Sequence, residues 1–337
     1  FSKCLNINPL FSQAYQYNAM VLQQLGKSVE SIECIQKAIE LRPASAQYLF
    51  TYGVILFQQE QYHDALYAFN QVLKIDDRIP DAWVNRGTTR LMLSDSSGAL
   101  TDYSAAINLN PFNANPYLRR GALYAQQSNY PLALQDLNQA IGIDSTLAQA
   151  YFTRALVFYY QKHYSQALSD LNKVLQLEHR NTLALFNRAI ISYEVGNPES
   201  AIDDLTRLSS IIPTNVLVHY YLASIRYELG YLPMALENIN KAIAIFPEFA
   251  NAYRLRAEIK TKKGDLKGAE ADIAQGNRLA QAYSNRAIND IASVIDSTGK
   301  LKRLLSLDEE LDITSSISME QLRTRILTIV YPIITLK

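Results

Sequence analysis

"YLRRGALYAQQSNYPLALQDLNQAI" (residues 117–141) and "YFTRALVFYYQKHYSQALSDLNKVL" (residues 151–175) lie 34 residues apart. Tyr117 returns as Tyr151, Arg120 as Arg154, Tyr130 as Tyr164, Ala133 as Ala167, and the "DLN" of 136–138 as that of 170–172. Apolar residues at helical spacing predict two amphipathic helices in each copy. A unit of this size cannot bury its apolar face alone, so a fixed period predicts stacked copies that share one continuous core.

With a frame that starts at Ser12, eight 34-residue units follow without insertion: 12–45, 46–79, 80–113, 114–147, 148–181, 182–215, 216–249 and 250–283. Position 8 of the unit reads Ala19, Gly53, Gly87, Gly121, Ala155, Ala189, Ala223, Ala257. Position 20 reads Ser31, Ala65, Ala99, Ala133, Ala167, Ala201, Ala235, Ala269. Small residues at both places let a first helix (A) and a second helix (B) approach closely. Gly196, Gly230 and Gly264 share position 15, where helix A should end. Pro131, Pro198 and Pro233 open helix B, and Pro43, Pro111, Pro213 and Pro247 at position 32 close it.

The third unit, "WVNRGTTRLMLSDSSGALTDYSAAINLNP" (83–111), resembles the tetratricopeptide repeat in its period, its small-residue sites and its closing proline. The resemblance covers residues 1–283 and extends to long bacterial repeat arrays, envelope-associated ones of the Bacteroides group among them. It implies an all-α, right-handed α-solenoid whose concave groove is lined by the A helices, and a bacterial envelope location. The family's clamp for C-terminal carboxylates needs Lys at position 5 and Asn at position 9 of a leading unit, and no unit here has that pair.

The chain departs from the pattern at position 7, where Arg86, Arg120, Arg154, Arg188 and Arg256 replace a leucine. The same five units carry Asp102, Asp136, Asp170, Asp204 and Asp272 at position 23, and the other three units carry neither residue. Pairing within the repeat leaves no charge unmatched, whereas pairing to the following repeat would strand Asp204 and Arg256. The expectation is an A-to-B ion pair in each of the five units, bidentate in form, rather than a basic ladder for a polyanion.

Charge is even, 32 Lys+Arg against 32 Asp+Glu, which argues against a global nucleic-acid or anionic-membrane footprint. No apolar run approaches the ~20 residues a spanning helix needs. Cys4 and Cys34 lack metal-site spacing and read as buried inert thiols. His63, His163, His179 and His219 fall in different repeats or on different faces; His219 stands at the aromatic position 4 and reads as a packed core residue. Nucleotide, phosphate, zinc-protease and serine-hydrolase motifs are missing, so the sequence calls for no cofactor and no metal. The acidic runs at 76–77, 203–204 and 308–310 read as solvated faces or helix ends.

What remains is a surface. Positions 5, 9 and 12 share one face of helix A, and the resemblance places that face in the groove. The candidate partner-binding residues are Phe152, Leu156, Tyr159, Phe186, Ile190, Tyr193, Tyr220 and Tyr227, with Phe50 and Phe57 in the second unit. The flanking units offer Gln16, Met20 and Gln23, or Arg254, Glu258 and Thr261. Repeated aromatics suit the anchoring of a protein or peptide partner, and they suit packing between neighbouring A helices equally well. A homo-oligomer is not indicated.

The ends differ from the array. "FSKCLNINP" at 1–9 matches the end of a repeat, so 1–11 reads as the tail of a truncated unit. Without a terminating proline, the last B helix is expected to run on through 284–299 as a cap, with Leu279, Tyr283, Ile288, Ile291 and Ile295 over the last apolar face. Residues 300–337 read as a separate segment with a short helix and, around Pro332, an edge strand. The functional expectation is a non-enzymatic scaffold that captures a partner segment. The rivals are an interaction module of a larger enzyme or transport machine, and a structural envelope component.

Overall fold

The computed structural model describes residues 8–284, so the expected continuation of the cap beyond Ser284 and the segment 300–337 lie outside the described residues. Among them are 16 helices, in pairs that begin every 34 residues. The first four pairs are α1 Ser12–Gln24 with α2 Ser28–Leu41, α3 Ala46–Gln58 with α4 Tyr62–Ile75, α5 Pro80–Met92 with α6 Ser96–Leu109, and α7 Ala114–Gln126 with α8 Tyr130–Ile143. The next four are α9 Ala148–Tyr160 with α10 Tyr164–Leu177, α11 Thr182–Glu194 with α12 Pro198–Ile211, α13 Val216–Glu228 with α14 Leu232–Ile245, and α15 Ala250–Lys262 with α16 Leu266–Ser284. The helices cluster into two compact units, one through Ala150 and one from Tyr151. Every A helix has 13 residues; B helices have 14 except α16, which has 19. α16 runs past the point where its siblings stop, with Gln281 at position 32.

The turn inside each pair is the same eight times. Position 15 has a positive φ in every repeat: Gly26, Gly196, Gly230 and Gly264 at 72–84°, and Glu60, Ser94, Ser128 and Lys162 at 59–65°. The next residue's N–H then reaches back to a carbonyl five residues earlier, as in Lys27 N to Leu22 O and His163 N to Phe158 O, both within 2.9 Å. This left-handed closure satisfies carbonyls that the end of helix A would orphan. Glycine marks the turn in four repeats, and the other four reach the same conformation with side chains that favour it less.

Position 8 is small because of what stands opposite. A Cβ added at Gly53 would lie 2.8 Å from the Phe69 ring, and one at Gly87 2.8 Å from the Tyr103 ring. At Gly121 the nearest atom is Leu137 Cγ, 3.1 Å away. All three neighbours occupy position 24, and where that residue is Ile35, Leu171, Leu205 or Ile239, position 8 is alanine. Phe69 and Tyr103 are fully buried. The small residue and the ring thus divide a fixed volume between them.

The five arginine–aspartate pairs form within the repeat. Arg86 donates from Nε and Nη2 to Asp102 at 3.0 and 2.8 Å. Arg120 holds Asp136 at 2.7 and 2.8 Å, and Arg154 holds Asp170 at 2.8 and 2.7 Å. Arg188 with Asp204 and Arg256 with Asp272 repeat the fork. The aspartates are buried, and each guanidinium is partly covered. Rings at position 4 cover several of them, with Arg86 lying 4.6 Å from the Trp83 centroid and Arg256 5.2 Å from that of Tyr253.

The sequence reading stopped at the repeat boundary, and the third donor does not. Nη1 of Arg86 reaches Asn70 Oδ1 of the preceding repeat at 3.0 Å, and Nη1 of Arg120 reaches Ser104 Oγ at 2.9 Å. Arg188 reaches Asn172 at 2.6 Å and Arg256 reaches Asn240 at 3.0 Å. These acceptors all occupy position 25, the "N" of the "DLN" that betrays the period. Where position 7 is not arginine the chemistry changes with it: Asn18 bonds Cys34 Sγ at 3.3 Å, and Gln36 of the preceding repeat bonds the Tyr52 hydroxyl at 3.4 Å.

Two outcomes follow for stability. Gly87→Ala should cost about 1–3 kcal/mol through overpacking against Tyr103. Gly142→Ala, whose Cβ meets nothing within 4 Å on a helix, should add up to about 1 kcal/mol; urea denaturation of both variants checks the contrast. Arg188→Leu should cost about 3–5 kcal/mol because it strands buried Asp204, and Arg188→Leu with Asp204→Asn should recover part of it. A double-mutant cycle between Asn172 and Arg188 should show coupling of about 0.5 kcal/mol or more; additivity would mean that the link between repeats contributes nothing.

Candidate functional site: the A-helix face

The ten residues singled out on the A face separate into two classes. Phe50, Phe57, Phe152, Phe186, Ile190 and Tyr220 are buried, none more than 3% exposed. In the free chain these six are covered by neighbouring side chains. Phe50 meets Phe69 edge-on at 5.8 Å, and Phe57 meets Tyr62 at 5.3 Å. Phe186 packs on Tyr221 of the next repeat at 5.4 Å, and Tyr220 lies 5.0 Å from Phe249 in the loop before α15. The reason is geometric. Phe186 and Tyr220, at position 5, point at position 6 or the adjoining loop beside the next A helix and fill the seam.

Leu156, Tyr159, Tyr193 and Tyr227 are half-buried and stay in reach of solvent. The three tyrosines occupy position 12, and each meets position 13 of the following repeat. The Tyr159 hydroxyl donates to Glu194 Oε1 at 2.9 Å, and the Tyr193 hydroxyl donates to Glu228 Oε2. Below Tyr227 the following residue is Lys262, whose ammonium lies 3.9 Å from the ring centroid. Burial, then the bonds to Glu194 and Glu228, hold the Tyr159 and Tyr193 hydroxyls far above the usual phenol range. Burial raises the Glu194 carboxyl as well, opposed by its bond to Tyr159. Sequence reasoning missed this ladder because it compared like positions, and the partners are one position and one repeat apart.

In the first unit the same face holds a pocket of about 90 Å3 between α1 and α3. Met20, Gln23 and Gln24 line it from α1, and Phe50, Thr51, Val54, Ile55 and Gln58 from α3. Three glutamine amides thus ring an apolar floor. Beside it Gln16 is buried, donates to Thr51 Oγ1 at 2.8 Å, and leaves its Oε1 without a hydrogen-bond partner.

The remaining candidates fall into place singly. His219 is buried, with Nε2 2.8 Å from the Pro213 carbonyl, the register in which Trp83 donates to Asp77 O and Tyr253 to Pro247 O. It is a packed substitute for an aromatic, as its position implies. Cys34 is a half-buried free thiol; Cys4 lies outside the described residues. Among the described residues no group of three His, Cys, Asp or Glu side chains could hold a metal, and no helix is long and apolar enough to cross a membrane.

Paired helices at a 34-residue period, closed by one recurring turn, define an α-helical repeat protein of the solenoid class. The tetratricopeptide-repeat family is matched over residues 11–78 and again over 84–148, and the chain is a tetratricopeptide-repeat protein. Such repeats support a protein–protein interaction scaffold. Anaphase-promoting complex subunit 3 of Dictyostelium discoideum is 27% identical over 118 residues, which is 35% of this chain and 12% of that protein. The chain therefore spans about an eighth of the length of that curated relative. Among solved structures, the APC/C hetero-tetramer Cut9–Hcn1 is similar over 77% of this chain and 51% of that one, with 18% identity and a TM-score of 0.56. The C-terminal part of a repeat protein from Cytophaga hutchinsonii is similar over 70% and 97%, with 18% identity and a TM-score of 0.56. PilF of Pseudomonas aeruginosa is similar over 64% and 97%, with 16% identity and a TM-score of 0.56. At these identities the likenesses define the fold.

The buried phenols give a test by pH. Burial pushes the Tyr103 and Tyr220 hydroxyls up to about 12. A raised folded value means that the stability each contributes is complete below about pH 10, the unfolded phenol value, and is lost as pH rises from there through about 12. Alkaline titration followed at 295 nm should show a class of late-ionising tyrosines, and Tyr103→Phe should flatten the loss of stability above pH 10.

Proposed function

We propose that the chain captures an extended segment of a partner protein along its A-helix face. One observation carries this reading: the pocket between α1 and α3, where glutamine amides rim apolar floor atoms from two successive repeats. Amides can satisfy a guest backbone while the floor takes an apolar side chain, the division of labour found at ligand sites. In the second unit, Leu156, Tyr159, Tyr193 and Tyr227 hold the A-helix positions that the pocket uses in the first. Phe50 contributes as floor and the other buried rings as support, not as anchors.

A second reading is a scaffold subunit within a larger assembly. The 118-residue stretch that is 27% identical to a subunit of a multi-protein complex favours it. The two readings are compatible, since a subunit holds its neighbours through such faces.

Selection of random peptides displayed on phage against the immobilised protein tests the capture reading. Met20→Trp, which fills the pocket from a half-buried position, should weaken the selected peptides by about 2 kcal/mol, the scale of a hot-spot change. Its melting temperature should stay close to that of the unaltered chain. Selection without enrichment, or peptides that bind the filled variant equally well, would sink the reading.

A further inference from the structure

We propose that the Tyr159–Glu194 and Tyr193–Glu228 pairs are two successive receptors for cationic side chains, and that the captured segment carries Lys or Arg at every third residue. This rests on the reading that the A-helix face receives a partner, and it assigns that partner's chemistry.

Each pair sets a half-exposed ring beside an exposed carboxylate. The tyrosine uses one carboxylate oxygen, and among the described residues no cation reaches either glutamate. A neutral glutamine at position 13 would accept the same hydroxyl through its amide oxygen. Two glutamates therefore add charge that the ladder does not need. Glu194 is partly desolvated as well, so its charge lacks compensation.

The third rung shows what the ring accepts. At Tyr227 position 13 is Lys262, and its ammonium sits over the ring at 3.9 Å. An ammonium over an aromatic face is attracted by the ring quadrupole, and a carboxylate alongside adds to that attraction. The first two rungs have the ring and the carboxylate and lack the cation. The other charged groups on this face are Glu258, which lies close enough to raise the Tyr220 hydroxyl, and Arg254. With Lys262 engaged on Tyr227, the free charge on the face is mainly negative, which steers a basic segment toward it.

Register sets the spacing. Packed helices stand about 8–10 Å apart, and a chain in the extended polyproline II form advances about 3.1 Å per residue with three residues per turn, which puts every third side chain on one face. Receptors one repeat apart therefore match side chains three residues apart.

The test uses the full chain and fluorescein-labelled nine-residue peptides of Gly and Ser, followed by anisotropy at low and moderate salt. One peptide carries Lys at residues 1, 4 and 7, a second carries Glu there, and a third carries three consecutive lysines. The spaced-lysine peptide should bind saturably and lose affinity with salt, and the glutamate peptide should not bind. Glu194→Gln with Glu228→Gln retains both hydroxyl acceptors, so it should melt like the unaltered chain and bind the spaced peptide at least about tenfold more weakly. Equal binding by the double variant, equal binding of the glutamate peptide, or equal binding of clustered lysines would overturn the proposal. If these outcomes occur while Met20→Trp still abolishes binding of selected peptides, the charge assignment fails and the capture reading stands. If Met20→Trp is also without effect, both fail.

Discussion

A guanidinium has five donors in one plane, and this fold depends on how they are shared. In Arg86, Arg120, Arg188 and Arg256 two donors clamp an aspartate on the partner helix while a third crosses to the repeat before. One side chain thus fixes the angle inside a pair and the step between pairs. A lysine could do neither, because a single ammonium has no fork. The arrangement demands burial of the aspartate, an acceptor at position 25 and cover for the guanidinium, and those demands fix much of the repeat's composition. Acidification tests the same bond in Asp272: burial alone would raise its carboxyl, and Arg256 and Lys260 together hold it below the usual range. Its contribution is present above about pH 4 and lost as pH falls through the depressed folded value.

Two kinds of aromatic occupy the A face, buried and half-buried. Rings at position 5 belong to the seam between repeats and are spent on cohesion. Tyr159, Tyr193 and Tyr227 at position 12 lie two turns on and keep one edge in water, whereas Phe57 at the same position is buried. A stripe that looks uniform on a helical wheel is therefore half interior and half surface. In the fifth to seventh repeats a half-exposed ring at position 12 is thus held without cost to the packing at position 5.

Much of this was legible in the residues alone. The period, helix limits and the intra-repeat arginine pairs follow from spacing and from which units lack both partners, because such arguments need only one chain compared with itself. His219 was readable for the same reason: it stands where its siblings have aromatics. The candidate site was less legible. Helical periodicity says which residues share a face and not how near the next helix lies, so Phe152 and Tyr159 looked alike. The bond from Tyr193 to Glu228 and the reach of Arg188 to Asn172 join different positions in different repeats, and only stacking brings them together. The acceptor did leave a trace: Asn70, Ser104, Asn172 and Asn240 precede arginine-bearing repeats, whereas Gln36 and Thr206 precede Tyr52 and Leu222.

The left-handed turn at position 15 bears on the order in which the array assembles. Glu60, Ser94, Ser128 and Lys162 hold this conformation in four consecutive repeats, and the last three turns are glycines. Each non-glycine turn stores about 1 kcal/mol or more of strain, which neighbouring contacts must offset before the turn can persist. A glycine turn closes without that support. In a linear array with nearest-neighbour coupling, structure starts where a pair is self-sufficient and spreads outward. The glycine-turned pairs, at Gly26 and from Gly196 on, therefore close with the least strain, and the four pairs between them lean most on their neighbours.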